Sequence, residues 1–305
     1  MQAYFVKRIW HSLLCIIGTS VIIFCISHFI GDPATLLLPP EVSEADRESY
    51  RQSLGLDDPF YTQYIRFARN VLKGDFGKSF RYEVPVFELV TQKFPATLEL
   101  GVAAILFATI VGAPCGIVSA MRPRSLLDRL VRGFSLLGMA APTFWVGIML
   151  ILIFAVELRL FPLSGRGGIK SLILPAVTLG WYSTAVITRM MRSTMLEVLD
   201  SDYIRMARMK GLSQRLIILK HCLRNVASVM VTVISLQLVI LLAGAVITET
   251  IFSWPGIGRL LIQGVLASDY PVIQGVTLLS SVIFVVINLV VDILYAIIDP
   301  RIKYT

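Results

Sequence analysis

Apolar residues run along this chain in long blocks with the charges confined between them. This is neither the three-to-four spacing of a water-facing helix nor the alternation of a half-buried strand. Six stretches lack Lys, Arg, Asp and Glu altogether: 9–31, 100–121, 133–156, 171–188, 226–248 and 271–291. A bilayer core of roughly 30 Å is crossed by about 20 such residues as a helix. A helix is also the one isolated segment that satisfies its own backbone in lipid. Each stretch is therefore expected to be a spanning helix. The fourth is the shortest and carries Pro175 near its start. Pro142 and Pro175 are candidate kinks of spans three and four, against proline that is tolerated in a span without consequence. The first stretch comes after Lys7 and Arg8, as in a signal peptide, but its apolar run exceeds the about 7–15 residues of a signal core. No small-residue cleavage pattern comes after it, and it is expected to be retained.

Composition agrees. Of 305 residues, 56% are hydrophobic and 16% charged, with a mean hydropathy of +0.75; soluble domains run at about 45–50% and about 25%. The expected class is an all-α integral membrane protein. Its net charge of +8 is explained by topology and needs no nucleic acid. With a cytoplasmic N-terminus, that side collects Lys7, Arg8, Arg122, Arg124, Arg129, Arg132, the cluster from Arg189 to Arg224, and Arg301 and Lys303. The short outer loops hold only Arg159, Arg166, Lys170 and Arg259. The positive-inside rule thus places both termini in the cytoplasm. Cys15, Cys25, Cys115 and Cys222 lack CxxC spacing, and His11, His28 and His221 are scattered. Neither a disulfide framework nor a metal site is expected.

One short segment invites an enzymatic reading. Gly77-Lys78-Ser79 matches the tail of a nucleotide-binding loop, but the position five before Gly77 is Leu72, not Gly. Such a loop needs successive backbone N–H groups wrapped around phosphate and opening a helix. On its N-terminal side lies a helical pattern of Tyr61, Tyr64, Ile65, Phe67, Ala68, Val71 and Leu72, and on its C-terminal side "FRYEVPVF", which does not open a helix. No nucleotide site is expected here, so any ATP is handled by another chain.

The informative polar segment is 193–225. Asp202 is placed to cap a first helix over Tyr203–Lys210, with Gly211 as its left-handed stop, and Ser213 to cap a second running to about Arg224. Ala207 and Gly211 are small where a partner would approach, amid Arg205, Arg208 and Lys210. A solvated positive-inside loop is the plainer alternative. A DNA-binding helix pair fits poorly with the tether between two spans and with Ile217-Ile218-Leu219.

"DYIRMARMKGLSQRLIILKHCLRN" (202–225) resembles the EAA-type loop of permeases of binding-protein-dependent ABC importers, in the dipeptide/oligopeptide/nickel branch. "GDPA" (31–34), "LGLDDPFYTQY" (54–64), "GDFGKS" (74–79), "PATLELG" (95–101), "LILPAVTLG" (172–180), "ETIFSWPGIGRLL" (249–261), "SDYPVIQG" (268–275) and "NLVVDILYAIIDPRIKY" (288–304) resemble it in order along nearly the whole chain. Two departures are Val229, near a place where the family commonly has proline, and Met206 and Met209, where Thr and Ala are usual. The resemblance implies a six-helix type I ABC importer transmembrane domain. It would comprise an N-terminal helix and outer segment over 1–94, the transmembrane domain over 95–299 with its loop at 193–225, and a tail at 300–305. It implies a non-catalytic subunit of the bacterial inner membrane that binds no cofactor. The partners implied are a homologous permease, usually as a heterodimer, two ATPase subunits using ATP and Mg, and an extracytoplasmic substrate-binding protein. Carried over by position, the ATPase-coupling helix is Tyr203, Arg205, Ala207, Arg208, Lys210, Gly211 and Leu212. Peptides are the expected cargo; nickel, glutathione and metal–opine chelates are the branch's alternatives.

Polar residues inside spans are costly and often functional. Gln237 and Asn288 are candidates for the translocation path, against helix–helix hydrogen bonding. Glu249, Trp254, Pro255 and Gly256, with Gly258 nearby, are candidates for a re-entrant or outer-gate segment, against simple lid packing; Asp292 reads as structural. An intramembrane hydrolase would need a Ser–His pair in a G-x-S-x-G setting, which is absent. An ion-driven carrier would be expected to show mid-span acids.

Overall fold

The structure, a computed structural model, describes residues 2–30, 43–54 and 57–298. "GDPA", part of "LGLDDPFYTQY", the end of "NLVVDILYAIIDPRIKY" and the 300–305 tail lie outside the described residues, as does the side chain of Asp292. The elements are α1 (Gln2–Ile30), α2 (Glu44–Leu54), α3 (Phe60–Leu72), α4 (Val86–Met121), α5 (Leu126–Ala140) and α6 (Thr143–Leu150, running on as a π-helix Ile151–Glu157). They continue with α7 (Ile169–Leu199), α8 (Asp202–Met209), α9 (Gln214–Ile251), α10 (Ile257–Leu266) and α11 (Tyr270–Ile298). Among the described residues there is no strand, only an isolated bridge between Lys78 and Pro85.

Among the described residues, five helices are long and apolar enough to cross a membrane, and α5 with α6 makes a sixth candidate bent by 107°. The third expected span, 133–156, is therefore not one rod. Proline has no N–H to donate and disfavours the helical region for its predecessor. Ala141 accordingly sits extended at φ −75° and ψ 125°, and Pro142 caps the start of α6. Pro175 has no such effect: α7 is a single helix of 31 residues with Pro175 buried inside it. The shortest apolar stretch thus belongs to one of the longer helices, because the helix continues through polar residues on both sides.

Two compact units are distinguishable. The first takes the chain up to Pro95 together with Gly256–Ile287. In it Val86, Leu89 and Val90 cluster with Ile257, Leu260, Val272 and Val276. Phe24 of α1 packs on the rings of Phe60, Tyr64 and Phe67. The "GDFGKS" segment is tied down by Ser79, whose Oγ donates to the buried Asp269 at 2.6 Å. That carboxylate also accepts from the backbone N–H of Arg81, at 3.1 Å. Ser79 is thus spent on a structural bond, and Gly77-Lys78-Ser79 leads through the bridge at Pro85, not directly into a helix.

The second unit, Ala96–Pro255 with the chain from Asn288, is built on close approach of α4, α7 and α9. A Cβ added at Gly116 would lie 2.6 Å from the Thr188 carbonyl oxygen, and one at Gly180 would lie 2.7 Å from that of Ala104. Small residues at such crossings let helices gain van der Waals contact where lipid supplies no hydrophobic drive.

Candidate functional site

The 193–225 segment folds as a helix, a turn and a longer helix. Ser201, extended at φ −69° and ψ 149°, holds the cap position of α8, and Asp202 is its first helical residue; the cap falls one residue before the expected one. Asp202 instead pairs with Arg205, at 3.4 Å, while Asp200 holds the same guanidinium at 2.9 Å. Gly211 stops the helix at φ +76°, its N–H reaching the Arg208 carbonyl at 2.9 Å. Ser213 caps the start of α9, accepting from the Leu216 N–H at 3.4 Å. That second helix does not end near Arg224. It widens into a π-turn over Ile217–Cys222 and continues to Ile251, so the segment's second half is the base of a span.

The two sides of α8 differ. Ile204 and Ala207 are buried and join a cluster with Ile217, Ile218, Cys222, Met195 and Leu199. Leu212 packs against the same cluster. Ala207 and Leu212 therefore anchor α8 to its own chain, correcting the expectation that Ala207 lies where a partner approaches: its position three residues after Ile204 puts both on the inner side. Tyr203, Met206 and Met209 are 49%, 55% and 79% exposed. Arg205, Arg208, Lys210 and Gly211 are exposed beside them. A Cβ added at Gly211 meets nothing within 4 Å, so that position also opens outward. The Tyr203 hydroxyl is hydrogen-bonded to His221 Nδ1 on the π-turn, which fixes α8 against the base of α9. Met206 and Met209 are not among the coupling residues that the family resemblance implies, although the three-residue spacing from Tyr203 signals a shared face.

The remaining candidates have structural partners. Gln237 is buried and accepts from Ser183 Oγ at 2.8 Å, joining α9 to α7. Asn288 is half-buried on α11. Glu249 is fully buried and accepts from Thr97 Oγ1 at 2.6 Å. Trp254, also fully buried, donates from Nε1 to the Ala96 carbonyl at 2.8 Å, and its backbone N–H reaches the Glu249 carbonyl at 2.8 Å. Pro255 and Gly256 come next, in the turn that opens α10, a short apolar helix of 10 residues. Trp254 and Glu249 thus seal the end of α9 onto the start of the second unit.

A polar centre at α5 is not evident from the sequence. Asp128, 1% exposed, accepts from Arg192 Nε and Nη2 of α7 at 2.7 and 3.1 Å. It also accepts from Ser119 Oγ of α4 at 2.6 Å and the Arg124 N–H at 3.0 Å. Three helices therefore converge on one carboxylate. The available signal was local: Ser125 and Asp128 form a helix-start pair, the Ser125 hydroxyl accepting from the Asp128 N–H at 3.1 Å.

The architecture is the type I ABC importer transmembrane fold. It matches 96% of a chain of the inward-facing MetNI methionine ABC transporter over 69% of this chain, at a TM-score of 0.60 and 19% identity. It also matches a structure of an amino acid ABC transporter with histidines, at a TM-score of 0.54 and 15% identity over 70% of this chain and 94% of that one. The chain belongs to the family described as binding-protein-dependent transport system inner membrane component, which matches residues 112–304; the N-terminal family of such membrane components matches residues 1–101. Among its relatives are the oligopeptide transport system permease protein AppB of Bacillus subtilis, at 40% identity over 100% of both chains, and the dipeptide transport system permease protein DppB of Escherichia coli K12, at 40% over 100% of this chain and 99% of that one. The glutathione transport system permease protein GsiC of Escherichia coli K12 is 41% identical over 100% of both. This is a membrane-embedded, multi-pass permease of an ABC importer.

Proposed function

We propose that the chain is one of two permease subunits of a peptide importer and that α8 is the seat of a partner ATPase. The single observation that carries the second part is the exposed Tyr203–Met206–Met209 side of a helix whose other side is locked into its own chain. A short helix anchored this way moves as a body with α7 and α9. ATP-driven closure of two ATPase subunits around such helices would be passed to the spans as a rigid-body shift. The basic flank of Arg205, Arg208 and Lys210 favours an acidic groove rim, and methionines suit an adaptable contact. ATP and Mg would be used by those partners alone, and an extracytoplasmic binding protein would deliver the cargo. Di- and oligopeptides are the cargo favoured by the relatives that match the full chain. Glutathione, itself a peptide, is the second reading, favoured by the relative at 41% identity.

The test is co-purification from mild-detergent membranes. Wild type is expected to bring down the companion permease and the ATPases, and Met206→Glu/Met209→Glu to keep only the companion. Wild type without ATPases sinks the importer reading; equal ATPase recovery with the variant sinks the role of α8. Labelled dipeptide and glutathione uptake, each measured with and without the chain, separates the two cargoes.

A further inference from the structure

A cavity of about 370 Å³ opens between α5 and α7, within the second unit. Its polar wall holds Arg132, Arg189, Arg192, Ser135, Thr188 and Ser193, and its apolar wall Val131, Leu136 and Met139. Among the described residues the acid that pairs with this wall is Asp128, which is already engaged by Ser119, Arg192 and the Arg124 N–H. Arg132 reaches it only at 3.5 Å. No acidic side chain among the described residues pairs with Arg189. Three guanidinium groups therefore face one cavity against a single, fully engaged carboxylate, leaving an uncompensated charge of two.

An excess of this kind in a partly enclosed site suits a bound anion. Guanidinium forks match phosphate oxygens, and Ser193 adds a hydroxyl donor, those of Ser135 and Thr188 being spent on the Val131 and Thr184 carbonyls at 2.9 and 2.7 Å. The volume lies at the low end of the ~300–1,000 Å³ range of small-molecule sites, enough for a headgroup and not for a whole lipid. The apolar wall fits the start of an acyl chain: Leu136, which lines the cavity, is itself 67% exposed, with Met139 one turn on. Basic pockets between spanning helices take anionic headgroups in this way.

We propose that this cavity binds the phosphate of an anionic phospholipid, with Arg132 and Arg189 as its ligands, Arg192 held in place by Asp128, and the acyl chains leaving past Leu136 and Met139. The site lies on the stretch of α7 that leads into α8, about 15 Å of helix from the Arg189 turn to Leu199, so its occupancy bears on the helix that carries α8.

The test is native mass spectrometry of the detergent-solubilised complex with phosphatidylglycerol and, separately, phosphatidylcholine of the same chains. Wild type is expected to retain phosphatidylglycerol selectively. Arg189→Gln is expected to weaken it about fivefold, and Arg132→Gln/Arg189→Gln further still. Arg122→Gln, which removes a charge outside the cavity, is expected to change nothing. Arg189 is exposed and makes no ion pair, so its variant is not expected to unfold. No selectivity between the lipids, or equal loss with Arg122→Gln, overturns the proposal. Displacement of the lipid by millimolar inorganic phosphate, or by a peptide carboxylate, would reassign the cavity to a free anion and overturn it as well.

Discussion

Asp128 shows how one residue can organise a membrane fold. Removing one member of a buried pair leaves the other charge stranded, which costs about 3–5 kcal/mol where burial is complete. Arg192 retains 23% of its exposure, so Asp128→Asn is expected to cost about 2–3 kcal/mol and to lower the thermal midpoint in detergent. Asp128→Asn/Arg192→Gln is expected to be less damaging than the sum of the singles, because neither then strands a charge; simple additivity would show that the two act independently. Steric limits are tested at the helix crossings. Gly116→Val puts a branched side chain where even one carbon would sit 2.6 Å from a carbonyl oxygen. It is expected to cost about 1–3 kcal/mol by overpacking, read as the same thermal midpoint. Gly133→Ala on α5, with nothing within 4 Å of the added carbon, is its expected neutral control.

The behaviour of α8 depends on its two ends and its two sides. Gly211 holds a left-handed conformation that costs an L side chain about 1–2 kcal/mol, although space is open around it. Gly211→Ala is expected to loosen the turn and Gly211→Asn to be tolerated better, measured as protease susceptibility between α8 and α9. Equal susceptibility of all three proteins would mean that the turn does not hold the helix. Tyr203→Phe removes the bond to His221 without changing the ring. It is expected to increase hydrogen exchange in α8 while leaving α7 unaffected. The left-handed glycine and the Ser213 cap were legible in sequence, because turn chemistry is local. The sidedness of Ala207 was not. The expectation rested on its small size, but size does not say whether a residue faces a partner or its own chain's core.

For the whole molecule, the distribution of arginine and lysine predicts that Lys78 and Met209 lie on opposite sides of the bilayer. In a cysteine-free background, Lys78→Cys is expected to react with an impermeant maleimide on right-side-out membranes, and Met209→Cys only on inverted ones. The reverse pattern would invert the topology; labelling from one side would change the number of crossings between them. The sequence by itself determined a helical membrane protein, the places of five of its spans and the family to which it belongs. Hydropathy acts residue by residue, and the matching segments run along nearly the whole chain. Tertiary structure alone decided that Pro142 breaks a span while Pro175 does not. Both residues lack an N–H to donate, and the difference is that the residue before Pro142, Ala141, is held extended while the one before Pro175 stays helical. It alone also decided that Asp128, Ser119 and Arg192 meet, that Gln237 finds Ser183, and that Met206 and Met209 face outward. Those relations join positions far apart in the chain, or depend on which face of a helix is covered, and both are set only by packing.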